Sequence, residues 1–413
     1  MQIKELNVME FDNFVLNHPL GSYYQTSNYA LVMAEYKFDY DLIGYVDNNN
    51  NIKAAALILH KKIGLFNKYG YSPKGFLIDY NNKSLVKKFT EDLVKYYSKK
   101  GLSFIKINPE IVIGEVINDL IEYNSNAKIK DYLETLGYKS LKRTLNFETI
   151  VPRFNAILPL RDYNLFGINK QTRNKIKKSM RKGLEFEFGN RDSITKIFEF
   201  VGKKHNHDIL YYKDFYNVFS KNDLIDVILV KINVDKFLIE SKRLFESELE
   251  VNTRLSDQIL IDNSDKNIKT KMQSDVKLWA YKEDMTTATK FAGKYDKEIY
   301  IAGAIIIKFK DRIHIIASGF DKEFDKFVPN YFLHHNIFEY YKGKYNFVDL
   351  NGITGDFSRE NPYHGLNRFK EGFKPFEYEF IGEFDLVINQ LSYSQLLNTG
   401  VLNKEFIKNK KIF

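Results

Sequence analysis

Residues 367–373 have the sequence Asn-Arg-Phe-Lys-Glu-Gly-Phe, and residues 378–385 follow with Tyr-Glu-Phe-Ile-Gly-Glu-Phe-Asp. The first segment places one cation, Lys370, between the aromatic residues Phe369 and Phe373. The second segment alternates in a way that is typical of a strand. A lysine here can hold its ammonium in a partly dry groove, where it would stabilise an oxyanion or a phosphate more strongly than in water. The alternative is an edge-strand lysine whose charged end reaches solvent.

Upstream of this stretch, strand and helix signals alternate along the chain. A length of 413 residues exceeds one ordinary core and indicates two or three folding units. Residues 1–154 contain apolar runs that predict strands, a hairpin turn at residues 47–51 and an amphipathic helix at residues 84–99. The same order of parts returns after residue 155. A pair of similarly built α/β units with mixed sheets is therefore the simplest architecture.

Residues 234–292 differ from the rest of the second unit. They contain neither proline nor glycine, and charged residues are dense. Apolar residues recur at heptad-like spacing in two runs, which are Phe237, Leu244, Val251 and Leu255, then Ile268, Met272, Val276 and Trp279. The pattern predicts an antiparallel helical hairpin that projects as a coiled-coil arm, and two surface helices packed on the body are the alternative. The expected domains are residues 1–154, residues 155–233 with 293–395, the arm at 234–292, and a C-terminal tail at 396–413.

Composition and charge limit the kinds of site and partner. The chain has no cysteine, which excludes disulfides, thiolate nucleophiles and cysteine zinc sites. The eight histidines show no metal-ligand spacing, and the adjacent pair His334 and His335 would point about 100° apart on a helix, so packing is expected of it. We expect no metal and no cofactor. The charged amino terminus and the lack of a long apolar run predict a soluble, cytoplasmic protein.

One helix concentrates positive charge on a chain whose net charge is +9. Residues 165–182 carry seven basic residues and no acidic one. The face expected to pack on the core has residues four apart, namely Ile168, Thr172, Ile176 and Met180. Like charges repel by roughly 0.2–0.5 kcal/mol per close pair, and a bound polyanion would relieve this repulsion and release counterions. The alternative is a solvated helix on a lysine-rich protein. The candidate nucleic-acid ligands are Lys170, Arg173, Lys177, Lys178 and Arg181.

In combination, these segments resemble the FemA-like branch of the FemABX family. Members of that family are non-ribosomal peptidyltransferases that move an amino acid from aminoacyl-tRNA onto a peptidoglycan precursor. The resemblance covers nearly the whole chain and includes the basic helix and the helical arm. The matching positions, in chain order, are Gln25 and Tyr29 in the first helix, Lys74 and Asp79 around a lysine-glycine step, Tyr216, Asn330 and Tyr331 at a helix start, and Phe369 with Lys370.

The resemblance implies a fold, a reaction and a set of partners. The fold would be two domains similar to GCN5-related acetyltransferases, with the arm inserted in the second. Lys370 and Phe369 would be catalytic, and the basic helix would bind the aminoacyl-tRNA. The acceptor would be a muropeptide on lipid II or on a UDP-linked precursor. Peripheral contact with the inner face of the membrane, and a homo- or hetero-dimer with related transferases, are further expectations. Substrate contacts would come from Gln25, Tyr29, Lys74, Asp79, Tyr216, Asn330 and Tyr331.

Some positions depart from the family and keep other functions open. Met33 stands where members often have a lysine that binds precursor phosphates, and Asn108 stands where they have an aspartate. An arginine of the family is replaced by Tyr211 or Tyr212. One alternative is therefore a non-catalytic member that only binds its partners. Another is an acetyl-CoA-dependent N-acetyltransferase, although the chain has no Gln/Arg-x-x-Gly-x-Gly/Ala turn to hold the pyrophosphate.

Overall fold

The computed structural model describes residues 1–64, 67–147, 150–201 and 207–402. His205 and residues 403–413 of the expected tail lie outside the described residues. The strands are β1 (Gln2–Glu5), β2 (Asp39–Val46), β3 (Ile52–Ile63), β4 (Asn67–Ser72), β5 (Phe104–Ile107), β6 (Val112–Ile117), β7 (Leu120–Tyr123), β8 (Tyr138–Ser140), β9 (Phe154–Pro159), β10 (Leu184–Phe188), β11 (Ile225–Asn233), β12 (Glu298–Phe309), β13 (Arg312–Phe320), β14 (Phe347–Ile353), β15 (Phe376–Phe380) and β16 (Phe384–Val387). The α-helices are α1 (Val8–Asn17), α2 (Ser27–Glu35), α3 (Lys83–Lys99), α4 (Lys128–Thr135), α5 (Lys170–Met180), α6 (Ser193–Val201), α7 (Ile209–Phe219), α8 (Val234–Ile261), α9 (Asp265–Lys294), α10 (Pro329–Tyr341), α11 (His364–Glu371) and α12 (Gln390–Asn398).

Two mixed sheets form the body of the molecule. In the described residues, the first sheet has the order β1-β2-β3-β4-β5-β16-β8 and the second the order β10-β11-β12-β13-β14-β9-β15-β6-β7. In each sheet, antiparallel neighbours lead to one parallel pair, β4 with β5 and β13 with β14. A helix, α3 or α10, makes the crossover that a parallel pair requires. The mixed α/β class and the repeated order of parts are confirmed.

The sheets exchange strands across the boundary expected at residue 154. β6 and β7 precede that boundary but extend the second sheet by pairing with β15. β16 follows it but lies between β5 and β8 in the first sheet. The alternating segment at residues 378–385 is thus divided between two sheets. Gly382 makes the break with φ +89, and an added Cβ there would lie 2.0 Å from the guanidinium of Arg153, so the position requires glycine. The division into folding units stays a prediction.

The helical hairpin is confirmed, and its two helices run antiparallel. Phe237 near the start of α8 faces Phe291 near the end of α9, and Asn252 contacts Ser274 farther out. On α8, Phe237 of the expected seam is buried, and Leu244, Val251 and Leu255 are half-buried. The expected seam is wrong on α9, because the four apolar residues of the second run are exposed: Ile268 36%, Met272 63%, Val276 70% and Trp279 65%.

The seam of α9 is polar along part of its length, which explains the error. Ser274 is buried there, and its hydroxyl donates to Glu248 over 2.7 Å while it accepts from the Asn252 amide over 3.1 Å. Because these polar groups satisfy one another, the seam needs no apolar residue at that level. The apolar residues with heptad-like spacing in α9 consequently lie on the solvent-exposed face of that helix and not on the face that packs against α8.

The base of the arm is close to the basic helix, which begins at Lys170 rather than at residue 165. Gly183 has φ +64 and caps this segment as expected. A Cβ at Gly183 would lie 2.7 Å from the backbone of Phe237, so the missing side chain also lets α8 approach. Met180 is 45% exposed, and Ser179 takes its expected place in the core. No helix in the described ranges combines the length and apolar character needed to cross a bilayer.

Candidate functional site

A cleft of about 1100 Å³ is lined by residues that precede and follow residue 155. Tyr23 and Tyr24, just before α2, line one side. On the other side it is lined by the first turns of α10, the end of β14, and α11 with Phe369 and Lys370. The motif at residues 367–373 therefore lies at a large concave surface, which is where binding sites usually form.

Lys370 is a buried lysine in α11, not an edge-strand residue. Its Nζ donates to the carbonyl oxygens of Asn351 over 3.1 Å and Gly352 over 2.6 Å. An ammonium has three N–H donors, so one remains for a ligand in the cleft. Burial lowers the pKa of Lys370 to about 7, although the nearby Asp349 carboxylate favours the charged form. The lysine is therefore a donor held in place before any substrate arrives.

A network of buried amides fixes α11 against the loop after β14. The Asn367 side chain accepts from the backbone N–H of Thr354 over 3.1 Å and donates to its carbonyl over 3.0 Å. The Asn361 amide donates to the Thr354 hydroxyl over 2.6 Å. These residues position Lys370 through the backbone. No motif marks their role in the sequence, apart from the position of Asn367 at the start of the segment that contains Lys370.

His334 is a second group at the cleft that the sequence analysis assigned to packing only. Its Nδ1 lies 2.8 Å from the backbone oxygen of Asn330, so this nitrogen carries the proton and Nε2 has the free lone pair. Burial, together with the charge of Lys370, lowers the pKa of His334 to about 4. The imidazole is thus neutral at physiological pH. Its ring centroid is 4.9 Å from that of Phe369.

Asn330 and Tyr331, two of the expected substrate ligands, have different surroundings. Asn330 lines the cleft, and its buried Oδ1 accepts no hydrogen bond from the described residues. Tyr331 points toward the basic helix, where its hydroxyl accepts from Lys175 Nζ over 3.0 Å. Its ring centroid is 5.1 Å from that of Phe369. Asn330 can contact a ligand directly, whereas Tyr331 links α5 to α11.

Gln25 and Tyr29 are fully buried. The Gln25 amide donates to the carbonyl of Pro73, and its oxygen accepts from the N–H of Leu57 over 2.9 Å. Its geometry is that of a clamp between strands and not of a ligand in the cleft. Tyr29 packs with its ring 5.0 Å from Tyr24, a residue that does line the cleft.

The remaining expected contacts are dispersed. Lys74 is buried at a small chamber behind the cleft, where it forms an ion pair with Glu110 at 3.2 Å. Asp79 is exposed and accepts from the N–H of Asn81 over 3.0 Å, which is the geometry of a turn residue. Tyr216 is half-buried against the core of α7, while its neighbours on that helix reach the cleft.

The basic helix packs directly on the end of α11. The backbone N–H of Asn169 donates to the carbonyl of Gly372 over 3.1 Å. A Cβ at Gly372 would lie 2.2 Å from the Thr172 hydroxyl, so the contact requires glycine. Of the candidate nucleic-acid ligands, one is half-buried, Arg173, whose guanidinium donates to the carbonyl of Phe166 over 3.2 Å. The exposed ones are Lys170, Lys177, Lys178 and Arg181.

Known proteins match this chain over nearly its whole length. A sequence profile of the FemAB family matches residues 6–398. The aminoacyltransferase FemA of Staphylococcus epidermidis is 26% identical over 420 residues, which cover 95% of this chain and 98% of that protein. The lipid II:glycine glycyltransferase of the same species is 25% identical over 415 residues, covering 95% and 94%. The crystal structure of FemX has a TM-score of 0.73 at 19% identity and covers 96% of this chain and 100% of that chain, which shows a shared fold.

Proposed function

Because this chain belongs to the FemAB family, we propose that it transfers an amino acid from aminoacyl-tRNA to the stem peptide or growing bridge of a peptidoglycan precursor such as lipid II. The resemblance found in the sequence is confirmed, and the relatives are acyltransferases by name. The observation that carries the proposal is Lys370, a buried lysine at the cleft whose Nζ donates to two carbonyl oxygens and has a third donor that no described residue accepts.

The reaction requires little more than alignment and one oxyanion donor. The aminoacyl ester is already activated, so an uncharged acceptor amine can attack its carbonyl carbon. The C–N bond forms, the carbonyl oxygen becomes negative, and the C–O bond to the ribose then breaks as the ribose oxygen takes a proton. Alignment of amine and ester contributes about 7–11 kcal/mol. The free N–H of Lys370 would stabilise the oxyanion in a water-poor site.

His334 has the geometry to orient the acceptor amine. The neutral ring presents Nε2 as a hydrogen-bond acceptor, because Nδ1 is committed to the Asn330 carbonyl. Both His334 and Lys370 line the cleft. Since its pKa of about 4 makes His334 a weak base, the ring would hold the amine N–H, and the ribose oxygen would take up the proton in the overall reaction.

The placement of the basic helix supports binding of the tRNA acceptor end at this site. Since α5 packs on Gly372, two residues beyond Lys370, phosphates held along α5 would place the esterified end near the cleft. Exposed lysines without acidic neighbours in their own helix fit a polyanion. Contact with the membrane that carries lipid II and pairing with related transferases remain predictions.

A reconstituted transfer assay tests the function. Purified protein, each charged tRNA and either lipid-linked or soluble precursor should give a stem peptide extended by one residue, detected by mass. Binding of precursor without incorporation from any charged tRNA would instead show a non-catalytic member. Titration with acetyl-CoA tests the remaining alternative, since measurable affinity for it would favour an N-acetyltransferase.

A further inference from the structure

A small polar chamber adjoins the cleft. Its volume is about 30 Å³, enough for one or two water molecules or a single ammonium group. Tyr23, Tyr24 and Asn351 line both the chamber and the cleft, so the two spaces share a wall. Lys370 is hydrogen-bonded to the carbonyl of Asn351, which places the chamber directly behind the proposed reaction site.

Asn155 leaves an acceptor without a donor in this chamber. The residue is 4% exposed, and its Nδ2 donates to Asp349 Oδ1 over 3.4 Å. Its Oδ1 is buried and accepts no hydrogen bond from the part of the chain that the structure describes. An unpaired buried carbonyl oxygen is unfavourable, so a ligand with an N–H or O–H donor fits this position better than an acceptor would.

Two ion pairs line the chamber. Lys74 and Glu110 pair at 3.2 Å, and His314 and Asp349 approach within 3.4 Å. Two carboxylates therefore face the chamber as acceptors, each beside a basic group. Arg312, which stacks on Phe347 outside the lining, acts on both carboxylates at longer range.

Both carboxylates are ionised near neutral pH. Burial alone would favour the neutral acid, but His314 and Arg312 hold the pKa of Asp349 well below its ordinary value. Burial likewise opposes ionisation of Glu110, and Lys74 and Arg312 lower its pKa. An incoming carboxylate or phosphate would therefore meet two negative charges and an unpaired acceptor.

We propose that this chamber is a binding subsite for a primary ammonium of an amino-acid or peptide substrate. Such a group supplies the donor that Asn155 Oδ1 lacks, can donate to the carboxylates of Glu110 and Asp349, and fits the volume. The assignment rests on the proposed function, in which both reactants carry a primary amine. These are the α-amine of the aminoacyl group and the amine of the acceptor peptide, which would bind as an ammonium and lose its proton before it attacks. The two sources share one chemistry.

Calorimetric titration of the full chain separates the two sources. One pair of probes is an amide-linked aminoacyl adenosine with its α-amine free or acetylated. The other pair is a lysine-containing stem peptide with its side-chain amine free or acetylated. In one pair, acetylation should weaken binding by about 10- to 100-fold, the effect of losing hydrogen bonds to a charged group. That pair identifies the source of the ammonium.

Variants tie the preference to the chamber. Asn155→Ala should weaken binding of the free amine about tenfold and leave the acetylated probe unchanged. Glu110→Gln, which keeps the side-chain shape and removes one carboxylate, should do the same and serves if the alanine variant does not fold. Asn252→Ala removes an asparagine that is also buried, 9% exposed, but lies in the arm, and it should keep the wild-type preference.

Two results would overturn the subsite: equal affinity for free and acetylated probes in both pairs, or a full preference retained in Asn155→Ala and Glu110→Gln. The outcome is independent of transfer itself. A protein that prefers the free amine but extends no peptide contradicts the proposed function and leaves the subsite standing. A protein that extends peptides without any amine preference contradicts the subsite alone.

Discussion

Replacing Lys370 with methionine should slow amino-acid transfer by about 10²- to 10³-fold, the usual effect of removing one preorganised oxyanion donor. Methionine retains an unbranched apolar side chain in α11 but has no N–H group. In the wild type, two donors of Lys370 are used by Asn351 and Gly352, which leaves one for the substrate. We attribute the decrease in rate to loss of the third donor, because the contacts with Asn351 and Gly352 hold the lysine in place and do not touch the substrate.

The measurement is a single-turnover rate with enzyme in excess over charged tRNA and saturating lipid II. Under these conditions a change in tRNA affinity does not affect the rate of the chemical step. Lys308→Met is the matched control, because Lys308 is also buried and loses ion pairs to Asp223 and Asp226 at 3.1 Å, remote from the cleft. It should lower stability to denaturant and leave the single-turnover rate unchanged. A Lys370→Met enzyme that transfers at the wild-type rate would refute the oxyanion role.

The pH profile gives an independent check of the same reasoning. Because burial lowers the pKa of Lys370 to about 7, its cationic form disappears as the pH rises above neutrality. The acceptor amine becomes reactive over the same range, so the wild-type rate should pass through a maximum. The methionine variant should keep only the rising limb, since it has no proton to lose. Identical profiles for the two proteins would contradict the assignment of the falling limb to this lysine.

Three further predictions concern binding and stability. Changing both lysines at positions 177 and 178 to glutamine should weaken tRNA binding and reduce the slope of log affinity against log salt by about 1.5. Filter binding measures both quantities. The same change at the exposed lysines 87 and 88 on α3 is the control and should alter neither. Gly183→Ala should lower the free energy of unfolding in denaturant by more than about 1 kcal/mol, because φ is +64 and the new Cβ would lie 2.7 Å from Phe237 at the start of the arm. Gly343→Ala is the control for the backbone effect alone, since Gly343 has φ +79 and open space around it. Asp349→Asn should make the stability less dependent on pH in the acid range. The lowered pKa of the Asp349 carboxyl stabilises the wild type at pH values above the pKa of the unfolded chain, about 3.9, and this stabilisation is lost as the pH falls below that value. Equal loss of thermal stability at acid pH in the two proteins would contradict the ion pair.

Local chemistry is what the sequence conveys well. Lys370 was identified because a cation between aromatic residues is visible in seven consecutive positions. The order of strands and helices was predictable for the same reason, since alternation and helical periodicity are local patterns. The hairpin turn at residues 47–51 is a further case: Asn50 has φ +61, a conformation that asparagine tolerates.

The features that could not be predicted from the sequence depend on contacts between distant parts of the chain. Gln25 resembles a ligand in its motif, yet its amide is used by backbone groups 48 and 32 positions away. The exchange of β6 and β16 between sheets likewise leaves no trace in periodicity. The chamber brings together Lys74, Asn155 and Asp349, which are widely separated along the chain. Each of them alone has the ordinary appearance of a strand-end residue.

In the proposed reaction, the packing of α5 on α11 would connect recognition of the donor with the chemistry at its ester. The contact at Gly372 is made by backbone groups and by Thr172, at a place where no side chain fits, so the two helices cannot shift independently without a clash. Tyr331 adds a second connection, since its hydroxyl accepts from Lys175 on α5 and its ring meets Phe369 beside Lys370. A polyanion bound along α5 would therefore be held in a fixed relation to Lys370. Positioning of this kind accounts for most of what an enzyme must supply when its substrate is already an activated ester.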